Sequence, residues 1–146
     1  MHDFRRNDYD VTNSVQVSST LAVCAAVRKM FVALWPREPF DKVEQAFDDF
    51  DTLFGGRMPG YLGVDTVYHD RQHTLDMTLT MMRLLAGWER SAEESARFGG
   101  QRGAMGLVTS LFHDAGYIRE TIDTQHRNGA EFTLTHVTRS ARFLTK

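Results

Sequence analysis

The stretch YHDRQHTLDMTLTMMRLLAGW, residues 68–88, decides the fold class. Its apolar residues recur at steps of three and four, the repeat of an α-helix that buries one face. We predict a helix from about Asp65, as its N-cap, to about Trp88. The predicted buried stripe of this helix consists of Leu75, Leu79, Met82 and Leu85 or Ala86.

The same stretch carries His69, His73 and Asp76 at steps of four and three. On one continuous helix these three side chains share a face, because an α-helix turns once in about 3.6 residues. Imidazole and carboxylate groups bind metals and transfer protons. The face is therefore a candidate site, and a polar stripe that faces water is the alternative.

Helical spacing recurs in four further segments, near residues 18–34, 39–54, 104–116 and 128–144. Proline in WPREP and glycine in GGRMPG interrupt the pattern. We expect SAEESARFGGQRG to form a short helix and a glycine-rich turn, YIRETIDTQHR to form a loop, and Gly116 to end its helix in the left-handed conformation. No segment alternates as a strand does, so we predict an all-α fold with about five main helices.

Composition and charge narrow the class of protein. The chain has 146 residues, 42% of them hydrophobic, which suits a single domain, 1–146, with a loose tail at residues 1–13. A net charge of -2 favours neither nucleic acid nor an anionic membrane surface. No apolar run approaches the ~20 residues that span a bilayer. The single cysteine, Cys24, is expected to be a buried thiol, and we predict a cytoplasmic protein.

A second motif, SLFHDAGY at residues 110–117, complements the first. The apolar helix that ends here closes with His113 and Asp114, and such a pair is costly to bury unless a partner neutralises it. A divalent cation would do so, with His73 from the preceding helix as a further ligand. Two imidazoles and a carboxylate suit Zn, Mn, Fe, Ni or, less well, Mg. A His-Asp pair alone is common at helix ends, whereas two such motifs forty residues apart are more specific.

Together the two motifs resemble the HD superfamily of metal-dependent phosphohydrolases, a helical family with a His…His-Asp…Asp ligand set. YHDRQHTLDM is similar to the Y-H-N-x-x-H-A-x-D signature of its cyclic nucleotide phosphodiesterase branch, and LFHDAGY to its His-Asp segment. The resemblance covers about residues 60–145 and implies a compact HD-type bundle with its site motifs within 65–131. It implies one or two divalent ions held by His73, His113 and Asp114, with His69 as the proton donor to the leaving oxygen.

The sequence departs from this pattern at several positions. Asp70 stands where the phosphodiesterase branch has asparagine, and Thr74 where it has alanine. Asp76 matches the last acid of the signature, where it would orient a histidine or form a salt bridge. His126 would reach a second metal or the substrate, or is a loop histidine that faces solvent.

The last ligand of the family, a late aspartate, has no counterpart because no Asp or Glu follows Glu131. The domain therefore reads as short at its C-terminus. Asp123, Glu131, water or a partner subunit are candidates to complete the site. His136 is expected to be a surface or core histidine. A short domain should also expose apolar surface, which favours a homodimer.

Three functions remain open at this point. The first is a metal-dependent phosphohydrolase that acts on a small phosphate ester or nucleotide. The second is a non-catalytic sensor that binds a metal or a nucleotide on the same fold. The third is a helical interaction module with coincidental histidines, which predicts no bound metal. No membrane partner and no specific nucleic acid is expected for any of them.

Overall fold

The computed structural model of the protein describes residues 7–145. Within this range, no strand occurs and the chain forms five α-helices: α1 Thr20–Leu34, α2 Asp41–Phe54, α3 Arg71–Ser91, α4 Gly99–Phe112 and α5 His136–Leu144. Three short 3₁₀ helices, Glu94–Ala96, Ala115–Tyr117 and Gly129–Phe132, join them. The prediction of an all-α fold with about five main helices is confirmed.

Helix α3 lies at the centre and packs against α1 and α4, while α2 packs against α4 and α1. The stripe predicted for α3 is buried, from Leu75 through Leu79 and Met82 to Leu85 and Ala86. Aromatic rings of α1 and α2 and leucines of α4 complete the core, and the largest fully buried among them are Phe31, Phe47, Phe50, Leu107 and Leu111. Packing of α3 on α4 fixes the positions of the two helix ends that carry the histidines.

The start of α3 differs from the prediction. The side chain of Asp70 accepts a hydrogen bond from the backbone N–H of His73 at 2.8 Å, so Asp70 is the N-cap and the helix begins at Arg71. Asp65 instead accepts a hydrogen bond from the N–H of Gly129 at 2.7 Å. The prediction of Asp65 as N-cap is wrong, and His69 precedes α3 rather than sharing its face with His73.

Helix α4 begins five residues earlier than predicted, at Gly99, and the expected glycine-rich turn is part of it. A Cβ on Gly103 would lie 2.3 Å from the ring of Trp35, and one on Gly100 would lie 2.6 Å from Glu38. These glycines let the first turns of α4 approach Trp35 closely. The indole N–H of Trp35 in turn donates to Glu89 of α3 at 3.0 Å.

The N-terminal tail is ordered around Asp10, whose side chain is fully buried. Its carboxylate accepts hydrogen bonds from the N–H groups of Ser14 and Val15 at 2.9 and 2.7 Å, and pairs with Arg83 of α3 at 2.8 Å. The expectation of a loose tail is therefore wrong for residues 7–13, because the hydrogen bonds of the buried Asp10 hold the surrounding backbone in place. Residues 1–6 of the predicted tail lie outside the described residues.

Two smaller expectations concern membranes and the thiol. No helix within residues 7–145 combines the length and the apolar character needed to cross a membrane. Cys24 is partly rather than fully buried. Burial, with the nearby charges of Glu44 and Asp48, raises the pKa of its thiol to about 11.

Candidate metal centre

Three histidines meet one buried carboxylate where the start of α3 lies beside the end of α4. Asp114, whose side chain is 2% exposed, follows α4 and turns its Oδ2 toward all three. Nδ1 of His69 lies 3.0 Å from this oxygen, Nε2 of His113 lies 3.1 Å from it, and Nε2 of His73 lies 3.7 Å from it. The structure thus brings together the residues that the two motifs predicted, although the role of each stays a prediction.

The spacing of these atoms suits a metal ion. Ligand atoms that lie about 2.1 Å from one ion are separated by about 3.0–3.4 Å in octahedral or tetrahedral arrangements. One donor atom each of His69, His73 and Asp114 lies within 4.8 Å of the others, so these three residues could hold an ion. Nε2 of His113 is a further imidazole nitrogen close to the same oxygen of Asp114. The donor set is mixed nitrogen and oxygen, which suits first-row transition metals.

The backbone orients His113. Its Nδ1 donates to the carbonyl oxygen of Ser110 at 2.7 Å, which directs Nε2 to Asp114. The hydrogen bond to Asp114 raises the pKa of His113 despite the opposing effect of burial. An ion that binds Nε2 of His113 therefore competes with protonation more strongly than it would at an ordinary imidazole.

Asp114 and His73 are shifted toward the forms that bind cations. Burial would raise the pKa of Asp114, but the hydrogen bonds with His113 and His69 outweigh it and leave the pKa below its ordinary value. Burial lowers the pKa of His73, repulsion by the other two histidines adds to this, and Asp114 opposes it. At neutral pH the site therefore offers an ionised carboxylate and at least one neutral imidazole.

A fourth histidine, His136, reaches the other oxygen of Asp114. It is the first residue of α5, and its Nε2 lies 3.9 Å from Oδ1. Its ring stacks on the buried ring of Tyr117 at 4.3 Å between centroids, and Tyr117 also stacks with His69 at 4.5 Å. From the sequence, His136 is expected to be a surface or core histidine, and its position beside Asp114 is not predicted. No local signal marked it, because His136 lay inside the predicted helical segment 128–144, whereas the observed α5 begins at His136.

Contacts of Gly116 and Ser140 hold α5 against the segment that carries Asp114. The N–H of Gly116 donates to Oγ of Ser140 at 2.8 Å, and this hydroxyl donates to the carbonyl oxygen of His113 at 2.7 Å. A Cβ on Gly116 would lie 2.0 Å from the carbonyl oxygen of His136. Gly116 is not among the glycines with positive φ, so the prediction of a left-handed helix end is wrong. Glycine is needed here for close contact.

The remaining candidates lie elsewhere. His126 pairs with Asp123 at 2.9 Å and packs on Phe132. Glu131 accepts a hydrogen bond from the N–H of Arg127 at 2.8 Å. The two acids considered as substitutes for the late aspartate thus have other partners. Asp76 is half-buried on α3, one turn beyond His73, and its role in orienting a histidine or forming a salt bridge stays a prediction.

Comparison with protein-family models, with curated proteins and with solved structures gives no match for this chain. The likeness to the HD superfamily therefore stands on the two motifs alone. What that likeness implies about activity belongs to the proposal below.

Proposed function

We propose that the protein is a metal-dependent phosphohydrolase of the HD type that acts on a small phosphate ester or a nucleotide. One observation carries the proposal: His69, His73 and His113 converge on a single buried carboxylate oxygen of Asp114. A buried acid among imidazoles is a typical site for a divalent ion. The resemblance of both motifs to that superfamily supplies the reaction class.

We assign each residue of the site a separate role in phosphate ester hydrolysis. A divalent ion, when bound, supplies activation of water near neutral pH and polarisation of a phosphoryl oxygen. Asp114, His73 and His113 would hold it. His69 forms a hydrogen bond to Asp114 through Nδ1, which orients its ring. We assign it the transfer of a proton to the leaving oxygen.

The exposure of the site suits a small substrate. The side chains of His69, His73 and His113 are between 23% and 35% exposed, while Asp114 beneath them is buried. Beside them Tyr68 is 71% exposed, and its ring lies 5.1 Å from His69 and 5.0 Å from His73. An exposed aromatic ring next to a metal site offers a stacking surface for a nucleobase.

A non-catalytic sensor of a metal or nucleotide is the second candidate. The observation that favours it is that Asp123 and Glu131, the acids considered as the last carboxylate, both have other partners. A site without its last carboxylate binds an ion with less compensation of charge. For both candidates we propose a homodimer, because Leu134 and Val137 are exposed apolar residues. We also propose a cytoplasmic location for both, because the chain has a single cysteine.

The test compares the wild type with Asp114→Asn and with the control Asp123→Asn, which alters the other His–Asp pair. Bound metal per chain is measured by elemental mass spectrometry, and hydrolysis of bis(4-nitrophenyl) phosphate and of cyclic nucleotides is followed with added Mn²⁺ or Zn²⁺. We expect metal and hydrolysis in the wild type and the control, and neither in Asp114→Asn. Metal without turnover would favour the sensor, and the absence of metal from every variant would contradict both candidates.

A further inference from the structure

We propose that His136 is a metal ligand that completes the site from α5, on the Oδ1 side of Asp114. The inference rests on the proposed metal site and specifies it further. Asp123 and Glu131 have other partners, and the structure places an imidazole where α5 meets Asp114. The site then consists of four imidazoles around one carboxylate.

The distance between His136 and Asp114 is the first argument. Nε2 of His136 and Oδ1 of Asp114 lie 3.9 Å apart, too far for a hydrogen bond. Two ligands of one ion, each about 2.1 Å from it, lie at most about 4.2 Å apart. The separation is therefore one that a shared ion spans.

The orientation of the ring is the second argument. Nδ1 of His136 donates to the carbonyl oxygen of Thr133 at 2.8 Å, so the neutral ring keeps its lone pair on Nε2. His113 is held in the same way by Ser110, the carbonyl three residues before it. A backbone carbonyl on the far nitrogen is the usual support of a metal-binding histidine. Both imidazoles are thus set as Nε2 ligands.

The attachment of α5 is the third argument. Ser140 of α5 is buried, and its hydroxyl forms hydrogen bonds with the backbone of Gly116 and His113. Arg139 donates to the carbonyl oxygens of Gly116 and Ile118 at 2.7 and 2.9 Å. These polar contacts tie α5 to the segment that carries Asp114, which fixes His136 relative to the carboxylate.

The ligand set predicts the class of ion. Imidazole suits Zn, Fe and Ni, whereas Mg²⁺ prefers oxygen ligands and keeps several waters. With His136 as a ligand, nitrogen outnumbers oxygen among the donors. We therefore expect Zn²⁺ to bind far more tightly than Mg²⁺.

The test uses His136→Ala, His136→Phe and the control His126→Phe. Phenylalanine keeps an aromatic ring on Tyr117 but offers no ligand atom, and His126 packs on Phe132 away from Asp114. Zn²⁺ affinity is measured by competition with a chromophoric chelator. Both His136 variants should bind Zn²⁺ at least about tenfold more weakly than the wild type, and the control should be unchanged. Wild-type affinity in His136→Phe would show that the ring only packs on Tyr117 and would overturn the proposal.

Long-range ¹H–¹⁵N spectra of the wild-type histidines give a second readout that needs no variant to fold. Addition of Zn²⁺ should shift the Nε2 resonance of His136 together with those of His73 and His113. An unmoved His136 beside shifted neighbours would contradict the proposal. Zn²⁺ binding through His136 without any phosphate ester hydrolysis would remove the proposed function and leave this inference standing, whereas no Zn²⁺ binding at all would remove both.

Discussion

The α-carbon of Gly116 lies directly against the backbone of His136, so that a methyl group on Gly116 would come within 2.0 Å of the His136 carbonyl oxygen. Gly116 is two residues beyond Asp114, and His136 opens α5. The absence of one side chain thus lets the last helix reach the carboxylate. Any enlargement at this glycine should therefore be felt both in stability and in the candidate metal centre.

Gly116→Ala should be strongly destabilising, and Gly87→Ala is its matched control. The added methyl on Gly116 must displace backbone, which costs about 1–3 kcal/mol or moves α5 away. A methyl on Gly87, within α3, meets nothing within 4 Å and should stabilise the helix by about 0.5–1 kcal/mol. Urea unfolding measures both. Equal stability of the two variants would contradict the close contact at Gly116.

His69→Gln should separate proton transfer from metal binding. If His69 is the proton donor, the variant keeps its metal and loses about 10²–10⁴-fold in hydrolysis. The loss should be smaller for an ester with an acidic leaving group, such as 4-nitrophenolate, because that group departs without a proton. The measurements are bound Zn²⁺ and the rates for two esters. Loss of metal together with activity would instead make His69 a ligand.

Metal affinity should rise as the pH increases above about 6.5, the ordinary pKa of an imidazole. The hydrogen bond with Asp114 raises the pKa of His113 in the folded protein. Protonation of His113 therefore stabilises the fold fully below the unfolded pKa of about 6.5, and this stabilisation is lost as the pH rises through the folded pKa. An ion that takes Nε2 displaces this proton, and each displaced proton steepens the affinity by up to tenfold per pH unit. Calorimetric titration in two buffers counts the protons released. His113→Asn should release fewer, and an unchanged count would exclude His113 as a ligand.

Asp10→Asn should weaken the fold near neutral pH and reduce its sensitivity to acid. Burial alone would raise the pKa of Asp10, but bonds from Thr12, Val15 and Arg83 hold that pKa well below its ordinary range. The stabilisation is present above the unfolded value of about 3.9 and is lost as pH falls toward the folded one. We expect a loss of about 2–3 kcal/mol at pH 7, because an acceptor of several buried bonds is removed.

Thermal melts of wild type and Asp10→Asn from pH 7 down to pH 2 measure this difference. The variant Asp8→Asn is the control, since Asp8 is half-buried rather than fully buried and its carboxylate accepts a bond from the side chain of Gln16 at 3.3 Å. The gap between wild type and Asp10→Asn should narrow below pH 4. A gap that stays constant to pH 2 would show that Asp10 does not change its ionisation there.

The repeat of apolar residues was sufficient to predict the helices, because burial of α3 from Leu75 to Ala86 needs only local spacing. The helix ends were harder. Asp65 and Asp70 are equally good caps in isolation, and Gly129 decides between them by engaging Asp65 from across the fold. The glycines of α4 read as a turn, and only contact with Trp35 explains a helix there.

In the candidate centre, too, some residues were predictable from local sequence and one was not. His73, His113 and Asp114 were found from two motifs because each motif is local. His136 is separated from Asp114 by two 3₁₀ helices and the loop between them, and no spacing within the sequence joins them. Its position follows from the contacts of Gly116, Ser140 and Arg139, which are tertiary.

All the donors of the candidate centre stand at helix ends: His69 and His73 at the start of α3, His113 and Asp114 at the close of α4, and His136 at the start of α5. The apolar core reaches these ends as well, with Leu75 in the first turn of α3, Phe112 at the end of α4 and the ring of Tyr117 all buried. The candidate donors and the packed side chains therefore share the helix ends, so that a substitution of a buried residue there should alter stability and ion binding together.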